Sequence, residues 1–205
     1  MSITNIITRT YETLPFKNEW LDAFAEPERT GTWFIWGASG SGKSSFALQL
    51  CSELCKYGKV LYNSLEEGLG LSFKNRLEQH AADIDHKRFH VITDTIDELY
   101  IRLKRRNSAE FILIDSYQYS GLSYESYLKL KGAFPNKLFI FVSQADGKRP
   151  AGRSAKRVHF DADLKIWVEG FTAKSNGRYI GANGGTFTIW EKGAWIFGQN
   201  QLKDK

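Results

Sequence analysis

Short apolar runs alternate with longer amphipathic stretches between residues 31 and 145 of this 205-residue chain. The short runs are rich in β-branched and aromatic residues, which is typical of buried strands. The alternation predicts an α/β fold, in which a doubly wound, mostly parallel sheet is flanked by helices. The predicted strands cover residues 32–36, 59–65, 88–93, 111–115 and 138–144. The predicted helices cover residues 43–56, about 69–80, about 96–106 and about 123–132.

The two ends of the chain have different patterns. The first thirty residues contain two prolines and the apolar set Trp20, Leu21 and Phe24, which predicts a short helical preamble packed on the sheet. After residue 145, a basic loop precedes strand candidates at 163–171, 178–180 and 186–190, and Asn-Gly turns between them favour C-terminal antiparallel hairpins. We predict one domain over residues 1–205, divided into a preamble (1–30), a core (31–145) and the basic loop with antiparallel strands (146–205).

Composition adds little to this picture. The net charge of +5 agrees with an anionic partner but does not require one. No apolar stretch approaches the roughly 20 residues that a membrane helix needs, and the first residues lack the pattern of a secretory signal, so we expect a cytoplasmic protein without a membrane partner. Cys51 and Cys55 lie four residues apart on one predicted helix, which favours buried packing over a disulfide or a metal site.

The most informative motif follows the first predicted strand. Residues 37 to 44 read Gly-Ala-Ser-Gly-Ser-Gly-Lys-Ser, a full phosphate-binding loop between a strand and a helix. Its glycines let backbone N–H groups surround a triphosphate, and the helix N-terminus adds positive charge. We therefore predict that ATP and Mg²⁺ bind here, with Lys43 on the β- and γ-phosphates and Ser44 on the metal. The predicted nucleotide-binding residues are Gly37, Ala38, Ser39, Gly40, Ser41, Gly42, Lys43, Ser44 and Ser45.

Carboxylates follow two further predicted strands. Asp115 ends the apolar run Phe-Ile-Leu-Ile, where an aspartate beside the loop can fix Mg²⁺ through its water shell. Glu66 and Glu67 come just after the second strand, where one carboxylate can activate the water that attacks the γ-phosphate. Because side chains alternate along a strand, only one of the two should face the nucleotide. The residues alone leave open which one does.

Taken together, these residues resemble a known family. The phosphate loop, Ser-Leu-Glu-Glu, Ile-Leu-Ile-Asp and the strand ending in Ser143-Gln144 are similar to the RecA-like ATPase core, as found in RadA, KaiC and the DnaB helicase domain. The resemblance covers about residues 30 to 190. It implies that Glu66 activates water and that Gln144 senses the γ-phosphate and couples it to DNA-binding loops. The small size also resembles the RecA-core recombination and annealing proteins of phages.

The resemblance places DNA contacts in the basic loop after the fifth strand. Five cations lie there within fifteen residues, and glycines and a proline predict an irregular, mobile loop suited to a phosphodiester backbone. We predict single-stranded DNA as a partner. The loop has no aromatic residue for stacking on bases, although Tyr117, Tyr119 and Tyr124 could supply it. The DNA-binding candidates are Lys148, Arg149, Arg153, Lys156 and Arg157.

A last resemblance concerns residues 173–178, which are similar to the hairpin by which hexameric relatives send cations into a neighbour's ATP site. Lys174 matches, but Asn176 stands where arginine is expected, so Arg178 would have to replace it. No acid near these cations in sequence is placed to pair with them, which predicts that they act in trans in a homo-oligomeric ring or filament.

The sequence thus predicts a DNA-stimulated RecA-like ATPase of phage or mobile-element recombination, repair or replication. The alternative is a KaiC-like regulatory ATPase that switches protein partners without DNA. A small-molecule P-loop kinase also fits the length, but that class usually has an arginine-rich lid, whereas here the cations follow the fifth strand.

Overall fold

The computed structural model describes residues 2–203, which form nine strands and eight α-helices. The strands are β1 (Gly31–Gly37), β2 (Val60–Ser64), β3 (Phe89–Ile92), β4 (Phe111–Asp115), β5 (Leu138–Asp146), β6 (Arg149–Pro150), β7 (Leu164–Glu169), β8 (Thr172–Gly177) and β9 (Gly185–Thr188). The helices are α1 (Ile3–Ile7), α2 (Asn18–Phe24), α3 (Lys43–Cys55), α4 (Leu71–His80), α5 (Ile96–Leu103), α6 (Tyr124–Ala133), α7 (Arg153–Asp161) and α8 (Glu191–Lys203).

The strands form one mixed sheet. Their order is β3-β2-β4-β5-β1-β7-β8-β9, and β6 pairs with the end of β5. Neighbours from β3 to β7 run parallel, whereas the β7–β8 and β8–β9 pairs are antiparallel. The predicted fold class is confirmed. The carboxyl ends of β1, β2, β4 and β5 meet at one edge of the sheet, where parallel sheets place ligand sites.

Alternate residues of each strand enter two separate cores. On one face, Trp33 and Ile35 pack with α2, α3 and α4. On the other face, Phe34 packs with α5, α6 and α7. Because both faces of the central strands are covered, their sequences are nearly continuous apolar runs, which is why they could be recognised from sequence.

The predicted preamble contains two helices. Trp20 and Phe24 of α2 are buried against Phe46 of α3 and Phe187 of β9. This part of the prediction is confirmed. In contrast, α1 has no buried residue.

Two predictions for the C-terminal third were wrong, and one helix was missed. The stretch after β5 is not irregular, because β5 and β6 form a hairpin around Gly147 and α7 follows directly. The strand expected at 178–180 lies earlier, at Thr172–Gly177, so the Ser-Asn-Gly residues are inside β8 rather than in a turn. Finally, α8 was not predicted.

Two other expectations can be compared with the structure. Cys51 and Cys55 are both free and buried, as expected of packing residues. Over residues 2–203, none of the helices is long and apolar enough to cross a membrane.

Candidate nucleotide-binding site

The phosphate loop joins β1 to α3 in a conformation that its glycines permit. Gly40 and Gly42 have φ angles of +73° and +102°, a region that other residues rarely adopt. Gly37 is required for space, because a Cβ atom there would lie 2.2 Å from the carbonyl oxygen of Val168. The loop therefore passes close to β7 and turns sharply into α3, which leaves its backbone at the sheet edge.

Lys43, the first residue of α3, points back across the loop. Its Nζ donates a hydrogen bond to the carbonyl oxygen of Ala38 at 2.7 Å. Burial lowers the pKa of Lys43, while the carboxylates of Asp115 and Glu66 raise it. The effect of burial is the larger one, so the pKa of Lys43 is lowered from its ordinary value.

Asp115 ends β4 in register with Ser64 of β2. Its carboxylate accepts a hydrogen bond from the Tyr62 hydroxyl, and its backbone carbonyl accepts from the N–H groups of Leu65 and Glu66. Burial raises the pKa of Asp115 to about 6, and the Tyr62 hydrogen bond opposes that change. A carboxylate in this environment gains from a nearby cation.

The two glutamates after β2 have different partners. Gln144, on β5, donates from Nε2 to Glu66 Oε1 at 3.2 Å. Glu67 accepts from Arg76 Nη1 at 2.8 Å on both carboxylate oxygens, and from Ser72 Oγ at 3.2 Å. Glu67 is thus held by α4, whereas Glu66 is exposed and contacts the end of β5.

These side chains share one cleft of about 610 Å³. Most of the residues predicted from the motifs line it, and Arg76, Ala145 and Phe171 also do so although sequence reasoning missed them. Gly37 and Ser41 are buried behind the loop. The residues that line the cleft are Ser39, Gly40, Gly42, Lys43, Ser44, Ser45, Glu66, Glu67, Arg76, Asp115, Gln144, Ala145 and Phe171.

Phe171 supports the loop from the turn between β7 and β8. Its N–H donates to the Ser41 carbonyl at 3.0 Å, and its ring would lie 3.0 Å from a Cβ atom at Gly42. The ring also packs edge-on against Trp190, with centroids 5.0 Å apart. No local signal identifies Phe171, since its partner Ser41 lies 130 residues away in the chain. The turn nevertheless forms one wall of the cleft.

The basic residues after β5 lie on regular elements rather than on a mobile loop. Lys148 is in the β5–β6 turn and Arg149 in β6, whereas Arg153, Lys156 and Arg157 are on α7. The glycines that were interpreted as breaking regular structure have other roles. Gly147 has a φ of +58° at the turn, and Gly152 is the N-cap of α7.

The Gln118 side chain forms hydrogen bonds with both ends of the β5–β6 hairpin. Its Nε2 donates to Ser143 Oγ at 2.8 Å and to the Ala151 carbonyl at 3.0 Å, and its Oε1 accepts from the Gln144 N–H at 3.1 Å. In addition, Trp36 Nε1 donates to the Lys148 carbonyl at 3.2 Å. Sequence reasoning missed Gln118 because an isolated glutamine carries no motif.

The prediction that Lys174 and Arg178 lack acidic partners was wrong. Arg178 Nη1 lies 2.8 Å from Asp163 Oδ1, and Lys174 Nζ lies 4.0 Å from Glu169. Glu169 ends β7 and Asp163 directly precedes it, and β7 pairs with β8 in antiparallel register. The register, rather than sequence distance, brings these charges together.

Comparisons with known proteins agree with this architecture. No protein-family model matches the chain, and no curated protein matches its sequence. The structure is similar to the KaiC-like protein PH0186 of the archaeon Pyrococcus horikoshii, with a TM-score of 0.59, 18% identity, and coverage of 86% of this chain and 91% of that one. It is also similar to the ATPase domain of G40P, with a TM-score of 0.51, 14% identity, and coverage of 77% and 80%. The chain therefore has the RecA-like P-loop fold that its motifs predicted.

Proposed function

We propose that this protein binds ATP with Mg²⁺ and hydrolyses it. The observation that carries the proposal is the convergence of Lys43, Ser44, Asp115, Glu66 and Gln144 on one cleft. These residues come from α3, β4, β5 and the connection that follows β2, so their meeting at one sheet edge is a tertiary arrangement rather than a motif match. Phosphoryl transfer needs a phosphate cradle, a metal site and a group that orients water, and the cleft contains a candidate for each.

The loop residues have chemistry suited to phosphate and metal. The backbone N–H groups of residues 37–45 and the Lys43 ammonium would hold the triphosphate. Ser44 and Asp115 fit Mg²⁺, because both offer hard oxygen atoms and the buried Asp115 carboxylate favours a nearby cation. When bound, Mg²⁺ would neutralise charge on the phosphate oxygens.

We assign the activation of water to Glu66 rather than Glu67. Both oxygens of the Glu67 carboxylate accept hydrogen bonds from Arg76, so this carboxylate is already engaged by α4. The Glu66 side chain is exposed at the cleft, where its carboxylate accepts a hydrogen bond from the Gln144 amide. A change at this carboxylate would then move Gln144 and, through it, the β5–β6 hairpin.

ATP hydrolysis by three single variants tests this assignment. Lys43→Ala should lose nucleotide binding and turnover together. Glu66→Gln should keep binding and lose turnover by ~10²-fold or more, as removal of a catalytic base does. Glu67→Gln is the matched control and should retain most of the activity. If Glu67→Gln is inactive and Glu66→Gln is normal, the two roles are reversed.

We further propose that the substrate to which hydrolysis is coupled is single-stranded DNA, in phage or mobile-element recombination, repair or replication. The support is the continuity from Gln144 through the β5–β6 hairpin to α7, a path that carries Lys148, Arg149, Arg153, Lys156 and Arg157. A cationic surface connected to the γ-phosphate end of the cleft is suited to a polyanion.

A KaiC-like regulatory ATPase is the second candidate, favoured by the similarity to PH0186. Such a protein would switch protein partners and ignore DNA. ATP turnover measured with and without single-stranded DNA separates the two functions. Stimulation by DNA supports the first, and turnover that is indifferent to DNA at all concentrations supports the second.

A further inference from the structure

One face of α7 combines cations with an exposed aromatic ring. Arg153, Lys156, Arg157 and Phe160 are spaced at i, i+3, i+4 and i+7, so they form a continuous stripe along the helix. With Tyr124 of α6 they line a cleft of about 440 Å³. We call these five residues the α7 stripe. The opposite face of α7 buries Ala155 and Val158 in the core, so the stripe is directed outward.

Phe160 is the most exposed large apolar side chain of the described residues, with 85% of its surface accessible. Its neighbours on the helix, His159 and Asp161, have contacts with the body of the protein, through the Trp36 ring and Lys131 respectively. The backbone at Phe160 is therefore held in place while its ring remains in solvent. An exposed aromatic ring on an anchored helix, with cations beside it on the same face, offers a flat apolar surface close to positive charge.

Arg157 is held in place by two contacts. Its guanidinium carbon lies 3.9 Å from the centroid of the Tyr124 ring, and Nη1 lies 3.2 Å from Glu125 Oε1. About half of the Arg157 side chain remains exposed. The pairing with Tyr124 orders the guanidinium group, so less conformational entropy is lost when a ligand binds it.

We propose that the α7 stripe binds unpaired nucleotides, with a base stacked on Phe160 and the backbone phosphates on Arg153 and Lys156. This inference rests on the proposed single-stranded DNA function and assigns the side chains that would contact bases and phosphates. A duplex would not use the Phe160 ring, because its bases are stacked on each other and cannot reach a side-chain ring. A second copy of the chain is a poorer occupant, since a symmetric contact would bring the same three cations of each copy together.

The test compares two fluorescently labelled strands of equal length, oligo-dT and an abasic oligomer with the same backbone, by polarisation. Wild type should bind oligo-dT more tightly. Phe160→Ala should weaken oligo-dT binding by ~10- to 100-fold and leave abasic and duplex binding unchanged. Trp195→Ala on α8 is the matched control, because this side chain is 66% exposed and lies outside the stripe. It should change neither affinity.

The cations are tested by salt dependence. Arg153→Ala with Lys156→Ala should weaken binding of both oligomers and flatten the log–log salt slope by about 0.7 per contact. Phe160→Ala should leave that slope as in wild type, since stacking releases no counterions.

Three results would overturn the proposal. If wild type binds oligo-dT and Phe160→Ala binds it equally well, the stacking site is wrong although the DNA function stands. If Phe160→Ala instead abolishes self-association in sedimentation velocity without changing DNA affinity, the stripe is a subunit contact. If wild type binds no single strand at all, the DNA function itself fails.

Discussion

Asp115 shows how one residue can serve a site at the expense of stability. Its carboxyl group is held among Tyr62, Glu66 and Glu67, and burial raises its pKa to about 6 from an ordinary value of 3.8. Between pH 4 and 6 the folded protein therefore binds a proton that the unfolded chain does not. The corresponding contribution to stability is complete below about pH 4 and is lost as the pH rises through about 6.

Asp115→Asn should accordingly stabilise the nucleotide-free protein at pH 7. The amide cannot ionise, and a shift of about two units corresponds to a gain of at most about 3 kcal/mol in the free energy of unfolding. Urea unfolding at pH 7 and pH 4.5 measures this, and the gain should shrink at the lower pH.

Asp22→Asn, on the exposed side of α2, is the matched control. Asp115→Asn should also lose Mg²⁺-dependent nucleotide binding, because a metal-binding oxygen is replaced. A variant no more stable than wild type at pH 7 would contradict the raised pKa.

At the scale of elements, the β5–β6 hairpin depends on one side chain. Gln118 makes three hydrogen bonds, to the Ser143 hydroxyl, the Gln144 N–H and the Ala151 carbonyl. It therefore joins the short helical turn after β4 to β5 and to the residue that follows β6. Because Gln144 also contacts Glu66, the position of the hairpin and the position of the proposed catalytic carboxylate are linked.

Gln118→Ala should loosen this hairpin without changing the core. Three partners lose a hydrogen bond, and a destabilisation of about 1–3 kcal/mol is expected. Hydrogen exchange at the Gln144 amide should accelerate, since its acceptor is removed. Gln79→Ala, on the exposed surface of α4, is the control and should leave that amide unchanged. Equal protection of Gln144 in both variants would exclude the proposed link.

A second element, α2, attaches the N-terminal region through aromatic rings. The Phe24 ring is fully buried, and its centroid lies 5.8 Å from that of Phe46 and 6.2 Å from that of Phe187. Phe46 belongs to the helix that begins at Lys43, so α2 packs against the element that carries the phosphate loop.

Phe24→Ala should cost about 3–5 kcal/mol in the free energy of unfolding, because it leaves a cavity among rings that cannot collapse freely. Leu21→Ala, one turn earlier on the same helix and 40% exposed, should cost well under half as much. Chemical denaturation of both variants provides the comparison. Similar losses in the two would mean that the cost reflects helix formation rather than packing.

At the scale of the whole molecule, Lys174 and Arg178 raise the question of assembly. Their side chains are 56% and 67% exposed although each lies near an acid, Glu169 and Asp163 respectively. These exposed cations could still approach a neighbouring subunit. We propose that a homo-oligomer completes its active sites in this way, since cations supplied across an interface stabilise the charge of phosphoryl transfer.

Mixing variants tests the shared site. Glu66→Gln subunits are combined with Lys174→Ala/Arg178→Ala subunits. Activity should return at interfaces where the intact Glu66 of one subunit meets the intact Lys174 and Arg178 of the other. Mixing Glu66→Gln with Lys43→Ala is the control. Lys43 and Glu66 must come from the same subunit, so no interface in this mixture has a complete site. Co-assembly and the folding of each variant are checked first, since Arg178→Ala leaves the largely buried Asp163 without its ion pair. A co-assembled mixture without regained activity would place the whole site within one chain.

The sequence by itself determined the parts of this protein whose signals are local. The phosphate loop depends on glycine conformation and on the strand and helix that flank it. The loop, the strand and the helix are all specified by residues 31 to 55. The buried strands were predicted because apolar residues filled both faces, and Asp115 was singled out because a carboxylate ended such a strand. The resemblance to RecA-like ATPases rested on the same segments.

Only the tertiary structure decided how distant segments meet. It distinguished Glu66 from Glu67, because Arg76 is brought to one of them by the packing of α4. It paired Arg178 with Asp163 through strand register, and it placed Phe171 against a loop 130 residues away. The stretch after β5 was misread because glycine and proline break an element or cap one, and only the neighbouring strands and helices select between the two. Contacts of this kind depend on long-range packing, which no local pattern encodes.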